Sequence, residues 1–232
     1  MEVTMSKPKA VIFGAIGTIA ETSDIQRQAF NRAFEEAELN WIWDAETYRD
    51  LLKINGGRNR IRAYRDADPM RANVTDAMTA LLHAAKTNHY VAMLGTNHLH
   101  PRVGVVELIN GCMSHAIPVA FCTSTATANV EALGAALADS LPFNWFAKII
   151  TIDQISQPKP APDAYIYCLD QLELNADEVI AIEDTPASIA SAKAAGIMTI
   201  ATPGATTREQ DFSAADLVLS SLEGVASQYL DL

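Results

Sequence analysis

The sequence has little cysteine, a deficit of positive charge and no long apolar run. Its three cysteines, Cys112, Cys122 and Cys168, are odd in number and lack CxxC spacing, so neither a disulfide framework nor a zinc cluster is indicated; they read as small buried hydrophobes. Seventeen basic side chains stand against 28 acidic ones, a formal net charge of −11. That balance repels polyanions and argues against nucleic acid or an anionic membrane as a partner, while a local anion pocket stays open to the chain. No segment reaches the roughly 18 to 20 apolar residues that span a bilayer. The opening stretch, MEVTMSKPKA, carries no apolar run of signal-peptide length, so the expected compartment is the cytoplasm. His83, His89, His98, His100 and His115 form no HExxH or comparable ligand pattern and read as surface or satisfied core histidines. There is no internal repeat.

What the sequence does have is apolar content, 49% over 232 residues, enough for one large domain or a core with a small inserted domain. Ala10-Val11-Ile12-Phe13 is a short continuous apolar strand ending at a Gly14/Gly17 turn. From Ser23 to about Tyr90 the grammar is helical: Ala29, Phe30, Ala33, Phe34 and Ala37 recur at 3.6-residue spacing, followed by helical patches at Tyr48–Leu52, Ile61–Tyr64 and Ala77–Leu82. After Pro101 come a helix over Val103–Cys112 and apolar runs at Ile117–Cys122, Lys148–Ile152, Val179–Ile182, Met198–Ala201 and Leu217–Leu219, separated by helical segments. Strands alternating with helices imply an α/β fold with a parallel, doubly wound sheet. The first strand is assigned to that sheet, so the expected organisation is an α/β core of residues 1–22 plus 95–232, with a helical module, 23–94, inserted between the first strand and the rest.

In an open parallel sheet ligands collect at the C-terminal ends of the strands, and the residues there carry the functional signal. Gly14-Ala15-Ile16-Gly17-Thr18 follows the first strand and Thr123-Ser124-Thr125 the second. Gln157-Pro158-Lys159-Pro160-Ala161-Pro162-Asp163 follows the third, and Glu183-Asp184-Thr185 the fourth. Singly these read as ordinary structure: a Thr-Ser helix N-cap, a proline-punctuated helix start, an acidic pair favouring a helix dipole. In this order, after these strands, they resemble the haloacid dehalogenase superfamily, in particular the helical-capped group that includes CbbY-type proteins, phosphoglycolate phosphatase and β-phosphoglucomutase. The resemblance runs from Lys9 to about Leu222.

The resemblance implies a Rossmann-like core under a helical cap, with the family's DxDGT loop on Gly14–Thr18. The attacking aspartate and the proton-shuttling aspartate would then stand where this chain has Gly14 and Ile16, so no catalytic residue is intact. Phosphate would be held by Gly17, Thr18, Thr123, Ser124 and Lys159, through backbone N–H groups, hydroxyls and a cation. Mg²⁺ would be held by Glu183, Asp184 and the main-chain carbonyl of Ile16. With one carboxylate gone, the metal is expected to bind weakly or not at all. In the cap, Gln26 occupies the position of the family's substrate-positioning histidine, and Gly56-Gly57-Arg58 resembles its specificity loop. The expected function is that of a catalytically impaired or inactive relative that binds a small phosphorylated metabolite or a protein partner, with anion binding less dependent on Mg²⁺. The alternative is a phosphate-monoester hydrolase with a substitute for the lost nucleophile, such as Glu21 or a water held by Asp184. Since such hydrolysis needs up to about 10²¹-fold acceleration, positioning by Thr123 and Lys159 alone does not restore it.

Overall fold

The computed structural model describes residues 7–14, 16–54, 56–96 and 99–230; Ala15 of the first loop and His98 lie outside them. The chain divides into two compact units, Met1–Glu21 with Leu99–Leu232, and Thr22–His98.

The first unit is built on a six-stranded sheet ordered β3-β2-β1-β4-β5-β6, comprising β1 (Ala10–Phe13), β2 (Val119–Cys122), β3 (Phe146–Ile150), β4 (Val179–Glu183), β5 (Met198–Ala201) and β6 (Leu217–Val218). All its ladders are parallel, which is why β1, β2 and the first four residues of β4 read as apolar runs, with every residue of the three strands buried. Strand β1 lies between β2 and β4, with Phe13 opposite both Phe121 and Ile182. The loops after these three strands therefore emerge side by side. Helices of this unit are α1 (Ile16–Ile19), α6 (Val105–Ser114), α7 (Thr127–Ala136), α8 (Asp163–Leu172), α9 (Pro186–Ala194) and α10 (Val225–Tyr229). Helix α8 packs Ala164, Tyr165, Cys168 and Leu169 into a core shared with Ala10, Ile12, Ala120 and Cys122.

The helical unit holds α2 (Ser23–Glu36), α3 (Ala45–Leu51), α4 (Gly57–Asp66) and α5 (Asp76–Leu94). Helix α2 buries Ala29, Phe30, Ala33 and Phe34 along one stripe. Its core is aromatic, with Trp43 4.5 Å from Phe30 and 4.9 Å from Phe34 between ring centroids. The Asn31 amide fixes the segment entering α3: it donates to the Trp43 carbonyl at 2.9 Å and accepts from the Trp43 N–H at 2.8 Å. On α5 the residues facing inward at four-residue spacing are Leu82, Lys86, Tyr90 and Leu94, which puts a lysine in an apolar stripe.

Some boundaries differ from the sequence pattern. The second strand starts at Val119 and the third runs Phe146–Ile150; Pro118 and a short 3₁₀ turn over Ile152–Gln154 close the ends that apolarity alone left open. The Gly17 turn is a turn of helix, α1.

Candidate active site

The C-terminal ends of β1, β2 and β4 bring Gly14, Cys122, Lys159, Glu183 and Asp184 together within the first unit. Lys159 lies in the loop before α8, and its backbone N–H donates to Ser124 Oγ at 2.8 Å. Its ammonium donates to the Cys122 carbonyl at 3.0 Å, to the Tyr165 hydroxyl oxygen at 3.2 Å and to Glu183 Oε1 at 2.5 Å. Glu183 Oε1 also accepts from the Tyr165 hydroxyl. Both charges are out of water: Glu183 is 0% and Lys159 6% exposed. Burial, and next the Glu183 charge, hold the Tyr165 phenol well above its ordinary range.

Glycine at position 14 makes this arrangement possible. A Cβ there would stand 1.9 Å from Glu183 Cδ and 2.1 Å from each carboxylate oxygen, closer than any real contact. The Glu183 carboxylate thus fills the space of the side chain that position 14 does not have. At Gly17 a Cβ would stand 2.0 Å from Asp184 Oδ2, so the second carboxylate lies against the helical turn of α1.

Asp184 is 8% exposed, and its Oδ1 has no hydrogen-bond partner. Burial, and next the adjoining Glu183 charge, push its pKa up to about 7 against the pull of Arg102 and Lys159. Thr18 is buried with its hydroxyl unpartnered, and Ile16 is buried with its carbonyl accepting from the Ala20 N–H at 2.9 Å. Thr123 does not cap a helix: its Oγ1 accepts from the Thr125 N–H at 3.1 Å, while Asp153 accepts from the Thr127 N–H that opens α7. The Lys159 charge is held in an ion pair with Glu183.

In the helical unit Gln26 Oε1 accepts from the Lys86 ammonium at 2.6 Å. Gly57 has no room for a side chain, since a Cβ would meet the His83 ring at 2.7 Å. Arg58 donates to the Asp76 carbonyl at 3.3 Å. Lys86 is 4% exposed and sits 4.8 and 5.1 Å from the Tyr90 and Phe30 ring centroids. Burial, then the Arg60 charge, lower its pKa to about 7, and burial, then Lys86, lower His83 to about 4. His89 pairs with Glu36 at 2.8 Å and His115 with the Gly111 carbonyl at 3.0 Å, satisfied as their isolated positions suggested.

Three residues escaped the sequence reading. Tyr165 is spaced six residues after Lys159, on α8, and looks like core. Lys86 was legible as a charge on the Leu82/Tyr90/Leu94 stripe. Arg102 follows the proline that marked a boundary. Its guanidinium donates to the carbonyls of Gly17 at 3.0 Å, Thr202 at 2.7 Å and Pro203 at 2.9 Å, tying α1 to the loop after β5.

The family model for haloacid dehalogenase-like hydrolases matches residues 11–202. The chain is 40% identical to Protein CbbY of Rhodobacter capsulatus over 95% of this chain and 96% of that one, and 28% identical to a phosphoglycolate phosphatase of Rhodospirillum rubrum over 82% and 77%. A crystal structure of CbbY from Rhodobacter sphaeroides in complex with phosphate superposes with a TM-score of 0.86 at 33% identity, covering 97% of this chain and all of that one. A variant of the same protein in complex with xylulose-(1,5)-bisphosphate gives 0.84 at 34% identity, covering 93% and 95%. With the sheet order, the loop positions and the full-length match to CbbY in agreement, this chain belongs to the haloacid dehalogenase-like hydrolase family.

Proposed function

We propose that this chain is a non-hydrolysing member of its family that binds a small phosphorylated metabolite at the ends of β1, β2 and β4. The observation that carries the reading is the Glu183 carboxylate standing over Gly14, tied to Lys159 and Tyr165. Position 14 offers no nucleophile, and Ile16 cannot pass a proton. Phosphate-binding roles are assigned to the backbone around Gly17 and Thr18 and to Thr123, Ser124 and Lys159. The helical unit is assigned the part of a cap, with Gln26, Gly57 and Arg58 as its substrate residues. Binding of phosphate and of a sugar bisphosphate by related CbbY proteins supports the ligand class. No described helix is long and apolar enough to cross a membrane.

The donor set does not suit a tight Mg²⁺ site. Glu183 is held by a cation and a phenol, and among the described residues no three His, Cys, Asp or Glu side chains cluster for a metal. Two carboxylates at most, one of them committed, leave the ion to solvent and ligand oxygens.

The alternative, a hydrolase with a substitute nucleophile, draws on Asp184, whose pKa near 7 suits proton transfer. It still lacks an attacking group: Glu21 Oε1 accepts from the Ala205 N–H at 3.1 Å and lies 3.7 Å from Arg102.

The purified chain with Mg²⁺ is expected to turn over p-nitrophenyl phosphate, phosphoglycolate, hexose phosphates and xylulose-(1,5)-bisphosphate no faster than a buffer blank. The Gly14→Asp/Ile16→Asp variant is expected to gain little, because an aspartate at 14 must first displace Glu183. Activity that survives repurification and disappears in Asp184→Asn establishes the hydrolase instead.

A further inference from the structure

The parallel ladder places Gly14 and Glu183 next to each other: Phe13 is opposite Ile182, and the Gly14 N–H donates to the Ile182 carbonyl at 2.7 Å. A side chain at 14 and the carboxylate of Glu183 therefore compete for one volume, as the 1.9 Å separation from a Cβ at Gly14 requires. In this chain Glu183 has won that competition, and the same carboxylate neutralises Lys159.

We propose that Glu183 is a plug: it has taken the place vacated at position 14, and by holding Lys159 in an internal ion pair it sets the site's affinity for anions. The inference rests on the reading of the site as a phosphate site and adds what regulates it. An incoming phosphate meets Lys159 already paired and Glu183 carrying a like charge beside it. At a few ångströms that repulsion opposes binding of the anion. Removing the plug's charge, or loosening its grip, frees the ammonium for the ligand. Tyr165 is the second hold on the plug, since its hydroxyl donates to the same oxygen.

The test is calorimetric titration of the whole chain with inorganic phosphate in EDTA at fixed pH. Glu183→Gln is expected to bind phosphate at least ~10-fold more tightly than wild type, and Tyr165→Phe, the milder change, ~3-fold more tightly. Adding Lys159→Met to Tyr165→Phe should remove the gain. Should Glu183→Gln fail to fold, Tyr165→Phe carries the test. If wild type binds and both variants bind no more tightly, the plug is wrong and the phosphate site stands. If only the variants bind, the plug holds and the wild-type binding function does not. If no form binds, both are wrong. The competition for volume is read separately by melting. Gly14→Ala should lower Tm by ~5 °C or more in wild type and by less than ~2 °C with Glu183→Ala. Equal losses in the two backgrounds overturn the plug.

Discussion

Replacing Lys159 by methionine is expected to lower stability by about 3–5 kcal/mol, a fall in Tm of ~10 °C for a chain of this size. Methionine keeps the length of the stem and removes the charge that Glu183, at 0% exposure, is paired with. Breaking a buried ion pair by removing one partner costs far more than the intact pair contributed. Removing both charges is a different matter, since well-packed apolar replacements of a buried pair are often neutral. Lys159→Met/Glu183→Leu is therefore expected to recover most of the loss. Thermal melts of the two single changes and the double change decide it. A Lys159→Met protein within about 1 kcal/mol of wild type would mean that the pair is not the buried, mutually dependent unit seen here.

Lys86→Met is expected to do the reverse and stabilise the helical unit, with an effect that depends on pH. Folded, Lys86 has a pKa of about 7 against an ordinary value of 10.5. Between these values the unfolded chain holds the proton that the folded chain lacks, so stability rises with pH across the window. Below about 7 the folded protein carries the buried ammonium and its cost in full, and above 10.5 both states are neutral and the cost is gone. The separation of about 3.5 between the two values corresponds to about 5 kcal/mol. The Gln26 carbonyl at 2.6 Å and the faces of Phe30 and Tyr90 are the groups on hand to solvate the charge, while Arg60 opposes it. The variant should melt ~5 °C or more above wild type at pH 6, with the difference closing toward pH 10. A difference that stays constant with pH would trace the gain to packing alone.

The Asp184 carboxyl behaves in the opposite sense to an ordinary surface aspartate. Its raised pKa, about 7 against 3.8, means that stability is greatest below the unfolded value and is lost as pH rises through the folded one. The loss accrues between 3.8 and about 7 and is complete above that, where Asp184 and Glu183 are both carboxylates.

The sheet, its parallel sense and the loops that carry the site follow from the sequence alone, because a strand buried on both faces must be continuously apolar and its functional residues must follow its C-terminal end. Ala10–Phe13, Val179–Ile182 with the acidic pair after it, and the Lys159 segment announce themselves in this way. The absence of aspartate at Gly14 and Ile16 is equally plain, since it concerns residue identity at fixed offsets from a strand. What the sequence left open was how the vacancy is filled. Glu183 and Gly14 are 169 positions apart, and the pattern shows Lys159 as a cation without showing what neutralises it. Only the ladder between β1 and β4 brings the missing side chain's volume and the Glu183 carboxylate to one point. Tyr165 and Lys86 were hidden for a related reason: periodicity places a side chain on the inner face of a helix but not the atom it meets there. Burial, counter-ion and pKa belong to pairs of residues distant in the chain, and they are decided by tertiary packing.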